Sequence, residues 1–162
     1  MRIVDFTSDR REDFARLNLE WLERWFTVEA IDHDVLGDPE THILAGGGRI
    51  LFAIDDVGDV LGTVALKREG AGVYELTKMA VSPEARGTGA GRLLANAAIT
   101  AFTEAGGSRL YLETNTRLAP AIALYESVGF EHVPLRTDSP YARADVHMVW
   151  KPAGGTTNAN PS

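Results

Sequence analysis

The chain has 162 residues, 44% hydrophobic and 24% charged, with a net charge of −7, which fits one globular domain long enough to bury a sizeable core. It has no cysteine, so disulfides, thiolate metal sites and a cysteine nucleophile are excluded. No apolar run reaches the roughly 18 residues of a membrane span, and so acidic a chain lacks the clustered cations that neutralise nucleic-acid phosphates.

The opening MRIVDFTSDRRED has no apolar signal-peptide core, so a cytoplasmic location is expected. Arg2 to Phe6 reads as a strand, and Thr7, Ser8 and Asp9 offer N-caps for a helix. Phe14, Leu17, Trp21 and Trp25 recur at helical spacing, Leu22 and Phe26 widen that face, and the helix is predicted to end near Thr27. Glu29, Asp32, His33 and Asp34 follow in a less regular segment. Asp32-His33-Asp34 lacks the i,i+4 spacing of helical ligand pairs, so no metal is expected. Asp38-Pro39 marks a break or a second helix start. Ile50–Ile54 and Val60–Leu66 read as strands joined by the hairpin loop DDVGD, and Val73–Val81 completes a three-strand meander. Ala90, Leu93, Leu94, Ala97, Ala98, Ala101 and Phe102 line one face of a long helix that Gly106-Gly107 stops. Arg109–Glu113 is a strand. Pro120 sits in the first turn of a short helix closed by Gly129, and Phe130–Val133 and Arg143–Trp150 are the last strands. Residues 1–151 thus form the expected domain, and 152–162, PAGGTTNANPS, an expected disordered tail.

The order β-α-α-β-β-β-α-β-α-β-β implies an α+β fold, with a mixed, mostly antiparallel central sheet flanked by helices. Charge is uneven along it. Residues 1–60 carry 14 acidic and 6 basic side chains, and residues 61–162 carry 9 and 10. The acidic half suits a cationic partner or simply gives solubility; the other half suits an anion.

Between the meander and the long helix lies MAVSPEARGTGAGR, Met79 to Arg92. Its glycines leave backbone N–H groups bare, and the following helix adds unpaired donors and a positive dipole end, which is the composition of a phosphate cradle. A dinucleotide fingerprint from Gly87 and Gly89 needs glycine at position 92, which is Arg92, and no lysine completes a Walker loop. What fits is R-x-x-G-x-G at Arg86, Gly89 and Gly91.

This loop after a strand and before a helix resembles the pyrophosphate loop of the GNAT-superfamily N-acetyltransferases, and LYESVGF (Leu124–Phe130) resembles their later Y-x-x-x-G-F motif. The element order is also similar to theirs across residues 1–151. The resemblance implies acetyl-CoA as cosubstrate. It implies that the backbone of Met79, Ala80 and Val81 meets the pantetheine arm and the acetyl carbonyl, and that Arg86, Gly87, Thr88, Gly89, Ala90, Gly91 and Arg92 hold the pyrophosphate. It makes Tyr125 the acid that protonates the leaving thiolate. Family members often carry Asn seven residues before that tyrosine. Here the position is Leu118, and Asn115 replaces the contact or caps the next helix.

Alternation places Val73, Glu75, Thr77, Met79 and Val81 on one strand face. A carboxylate there is costly without a use or a partner. Glu75 is therefore either salt-bridged to Lys67 or Arg68, or the general base that the resemblance implies. Glu29 and Asp32 are rival candidates for binding or deprotonating the amine, and His132 and His147 read as structural. The implied activity is N-acetyl transfer to a primary amine of a small molecule or peptide by direct attack in a ternary complex. The alternative is a non-catalytic acyl-CoA sensor. No nucleic-acid or membrane partner is expected, and a homodimer is left open.

Overall fold

Apolar runs between turn residues become seven strands: β1 (Arg2–Asp5), β2 (Arg49–Ile54), β3 (Val60–Gly70), β4 (Val73–Val81), β5 (Arg109–Thr114), β6 (Phe130–Val133) and β7 (Val146–Trp150). The helices are α1 (Arg11–Trp25), α2 (Ala30–Gly37), α3 (Ala90–Glu104) and α4 (Ala119–Ser127), with one wide helical turn at Glu40–Leu44. This computed structural model describes residues 1–135 and 139–152, so the tail beyond Pro152 lies outside the described residues.

The sheet runs β1-β2-β3-β4-β5-β7-β6. Among the described residues only β4 and β5 pair in parallel; the other pairs are antiparallel. A parallel neighbour needs a crossover, and α3 supplies it. Alternation along β2 sends Leu51 and Ala53 to one face, packed with Leu76, Leu94, Ala98 and Phe102. Ile50, Phe52 and Ile54 go to the other, packed with Phe14, Leu22, Val35 and Leu36. The sheet is thus an apolar layer between α1–α2 and α3–α4.

Several boundaries differ from the sequence reading; β3, for one, runs on to Gly70 rather than stopping at Leu66. α1 ends at Trp25, because Phe26 is already extended with φ −145°. The segment read as irregular is helical: the Asp32 carboxylate accepts the Glu29 N–H at 2.9 Å in a capping box, and Val35 and Leu36 are buried. β7 starts at Val146 rather than Arg143, because a turn returns the Ala144 N–H to Tyr141 O and the Arg143 side chain runs inward to Asp32.

The difference that matters most lies in β4. Gly62 and Thr63 pair with Val81 and Ala80, yet Ala65 pairs with Thr77, so β4 carries one extra residue. Lys78 takes up the bulge with φ +53°, a left-handed conformation rare outside glycine. The alternation expected for Val73, Glu75, Thr77, Met79 and Val81 is therefore broken. Met79 and Val81 pack with Leu76 on the α3 side. Glu75 and Thr77, opposite Lys67 and Ala65, face the α1–α2 side.

Candidate active site

β4 and β5 pair only at Val73–Arg109, Tyr74–Leu110 and Glu75–Tyr111. Beyond Glu75 they part, because the bulge turns β4 away. A cavity of about 540 Å³ opens between Thr77–Val81 on one side and Leu112–Asn115 on the other. Trp21, Trp25 and Phe26 from the end of α1 wall it, as does Tyr141. These α1 aromatics are half-buried, and their faces carry cations: Arg86 lies 5.1 Å from the Trp21 ring centroid, and Arg117 5.8 Å from that of Phe26. No acidic residue of positions 1–60 lines the cavity; among the described residues its carboxyl groups are Glu75 and Glu113.

One end of the cleft is the glycine loop. Gly87 and Gly89 hold φ of +80° and +92°, and a Cβ at either would meet nothing within 4 Å, so both face open space. Gly89 caps α3 with no side chain on the first-turn donors. Thr88 N–H reaches Ala85 O and Leu93 N–H reaches Gly89 O. Among the described residues, the N–H groups of Gly87, Gly89, Ala90, Gly91 and Arg92 have no such acceptor. Arg86 and Arg92 are exposed beside them, and Gly91 packs so closely that a Cβ would lie 3.2 Å from Leu124. Five unpaired donors, a helix dipole and two guanidinium groups suit a pyrophosphate.

Tyr125 projects from α4 into the same cavity, 8% exposed, its ring edge-on to Phe130 at 5.9 Å. Burial pushes its hydroxyl up to about 12, which keeps it protonated at any ordinary pH. Glu75, 7% exposed, has no hydrogen bond or ion pair among the described residues. Lys67, opposite it, pairs with Glu69 instead, so the expected salt bridge does not form. Burial first, then the neighbouring Glu69 and Glu113 charges, raise the Glu75 carboxyl to about 8. Met79, Ala80 and Val81 line the cavity between the loop and Glu75.

Glu29 and Asp32 lie apart from that line. Asp32 is fully buried. Its oxygens accept Arg143 at 2.8 and 2.9 Å, Lys78 Nζ at 3.2 Å and the Glu29 N–H. Burial opposes its ionisation, but the Arg143 and backbone hydrogen bonds and the Lys78 charge outweigh it and hold the carboxyl at about 2. Glu29 meets Arg143 at 3.0 Å. Asn115 lines the cavity, yet its amide is committed to the protein: Nδ2 donates to Arg143 O at 2.7 Å and Oδ1 accepts Arg117 N–H at 2.8 Å. Lys78, Tyr141 and Arg143 escaped the sequence reading. Strand alternation hides Lys78, since no glycine marks the bulge, and Arg143 reads as the start of a strand.

A mixed sheet that splits at a bulge, with unpaired N–H donors at one end of the split, can hold a phosphate-bearing ligand there. The chain belongs to the acetyltransferase (GNAT) family, whose model matches residues 8–130, and is an acyltransferase working with acyl-CoA and an amine. It is 34% identical over 134 residues to an uncharacterized N-acetyltransferase of Schizosaccharomyces pombe, covering 80% of this chain and 78% of that one. It is 38% identical over 89 residues to the uncharacterized N-acetyltransferase YjgM of Escherichia coli, 53% of each chain. Its fold is similar to a GNAT-family acetyltransferase of Staphylococcus aureus (TM-score 0.83, 21% identity, 92% and 97% covered). It is also similar to a phosphinothricin acetyltransferase of Sinorhizobium meliloti solved with AcCoA (TM-score 0.75, 18% identity, 91% and 86% covered).

Proposed function

We propose that the chain transfers an acetyl group from acetyl-CoA to a primary amine of a small molecule or peptide, by direct attack with both substrates bound. The observation that carries this is the set of unpaired N–H donors at Gly87 and Gly89–Arg92, opening onto the cleft that holds Glu75 and Tyr125. Acetyl-CoA supplies the activated acetyl group and the sulfur that leaves with an electron pair. The loop from Arg86 to Arg92 holds its pyrophosphate. Freed β4 donors near Met79–Val81 meet the carbonyl oxygen as negative charge develops. The lone pair of the neutral amine attacks the carbonyl carbon, and ionised Glu75 takes, directly or through water, the proton that the nitrogen then sheds. Tyr125 gives its proton to the departing sulfur. Its raised pKa does not spoil that transfer, because the same apolar cleft raises the pKa of the thiol it forms. Glu29, Asp32 and Asn115 shape the site without touching the reacting atoms, and the domain runs through residue 151.

The direct test is calorimetry with acetyl-CoA and thiol release across amino acids, polyamines, aminoglycosides and peptide N-termini. Binding together with release on at least one amine is expected; binding without release on any amine overturns the reading. Tyr125→Phe should lower kcat about 100-fold while leaving acetyl-CoA affinity within about twofold; an unchanged kcat removes it as the acid.

Glu75→Gln should lower kcat/KM about 100-fold and erase the rise that wild type shows as pH climbs toward about 8. The stability effect has the opposite sense. A carboxyl whose folded pKa is raised contributes stability that is full below its unfolded value, 4.5, and is lost as pH rises through about 8. Glutamine mimics the protonated form, so the variant should be the more stable protein at pH 9. Urea midpoints at pH 5 and 9 check this; equal losses in both proteins would place the titration elsewhere.

A further inference from the structure

The cleft contains one more polar group, on the loop before β7. Lys78 Nζ donates to the Tyr141 hydroxyl oxygen at 2.8 Å and lies 4.4 Å from the ring centroid. Lys78 is 9% exposed, and its ammonium is held at 3.2 Å by fully buried Asp32. Arg143, two residues after Tyr141, grips the same carboxylate with both arms of its guanidinium and lies 4.7 Å from the Tyr141 ring centroid. Asp32 thus ties the β4 bulge and the Tyr141 loop to α2, and the phenol has little freedom to move. With Lys78 on the hydroxyl oxygen, its O–H proton must point elsewhere. No acceptor among the described residues takes it, and Tyr141 lines the cavity that Glu75 lines.

We propose that Tyr141, aimed by Lys78, is a positioning residue for the base: its hydroxyl donates to the Glu75 carboxylate, directly or through one water, and so stabilises the ionised form and fixes the direction from which it takes the amine proton. This rests on Glu75 being the base. A hydrogen bond to the charged form lowers a carboxyl pKa. The bond forms as Glu75 ionises, which places the Tyr141 donor beside the new charge. The other groups facing Glu75 are Lys67 and Glu69 on β3, Lys78 on β4, Tyr111 and Glu113 on β5, with His147 of β7 against Tyr111 and neutral Asn18 on α1. To these Tyr141 adds a hydroxyl already oriented by a buried cation.

The test needs no substrate. The Glu75 carboxyl is titrated by carbon-13 NMR on glutamate-labelled protein, its signal assigned by loss in Glu75→Gln, in wild type, Tyr141→Phe and Lys78→Met. Circular dichroism confirms that each variant folds. Tyr141→Phe should raise the Glu75 pKa by about half a unit or more, the size of one hydrogen bond to a carboxylate, and Lys78→Met should raise it further because a cation is also lost. A purely structural role leaves the Tyr141→Phe titration within about 0.2 of wild type and overturns the proposal. With a responsive amine, the acidic limb of kcat/KM should move by the same amount in Tyr141→Phe. A Glu75→Gln enzyme that keeps both rate and limb overturns Glu75 as base; loss of the limb in Glu75→Gln with no shift in Tyr141→Phe overturns the Tyr141 proposal alone.

Discussion

Gly89→Glu is expected to abolish acetyl-CoA binding in a protein that still folds. Gly89 sits at φ +92° as the N-cap of α3, facing open space. A side chain there strains the backbone by about 1–2 kcal/mol and meets no neighbour. Its carboxylate lies where the unpaired N–H groups converge, which is favourable for the helix dipole and offsets part of the strain. The same carboxylate repels a bound pyrophosphate. At about 4 Å and an effective dielectric near 20, one charge pair is worth about 4 kcal/mol, close to a thousandfold in affinity. Gly89→Ala carries the strain without the charge and should lose about tenfold or less. Calorimetry on both variants at low and moderate salt separates the two causes. If folded Gly89→Glu binds within tenfold of wild type, the pyrophosphate does not lie on this loop.

Asp32→Ala should be the most damaging single change to stability, about 3–5 kcal/mol, or about 10 °C in Tm for a chain of this size. The loss is that of buried Lys78 and half-buried Arg143 stripped of their shared partner: among the described residues Lys78 keeps the Tyr141 hydroxyl, and Arg143 keeps Glu29. Asp32→Asn retains hydrogen-bonding capacity and should fall between. The pH dependence has a definite sign. Because the folded pKa is depressed from 3.8 to about 2, the stabilisation is present above 3.8 and is lost as pH falls through about 2. Urea titrations at pH 7 and 3 measure both effects. A loss under about 1 kcal/mol at pH 7 would mean that water repairs the network.

Much of the fold was legible because it depends on local patterns. Alternating apolar residues in β2, the helical stripe of α3 and the Asp55–Asp59 turn each bury or cap themselves by short-range rules, and these gave the element order. The glycine loop was legible for the same reason: its function rests on backbone geometry that adjacent residues dictate. Tyr125 was legible only through its motif, since nothing local says that a helical tyrosine overlooks a cleft formed by other strands.

The face assignment of β4 failed at Lys78. A bulge is decided by the fit of two strands, here Thr63–Ala65 against Thr77–Ala80, and neither strand alone announces it. The acidic first segment has partners that the sequence does not announce: Asp32 and Glu29 both pair with Arg143, more than a hundred residues away in the chain. The pairing of Lys78 with Tyr141 spans 63 positions and has no sequence signal.

By itself, then, the sequence determined the mixed α+β architecture, the anion loop and the two candidate proton-transfer groups, because periodicity, turn chemistry and short motifs act over a few residues. Only the tertiary structure decided where β4 and β5 part, which way Glu75 faces, that Asp32 anchors an ion network with Lys78 and Arg143, and that Tyr141 joins the cleft. Each of these depends on strand register and on charges buried together from distant segments, and such contacts exist only once the chain has closed on itself.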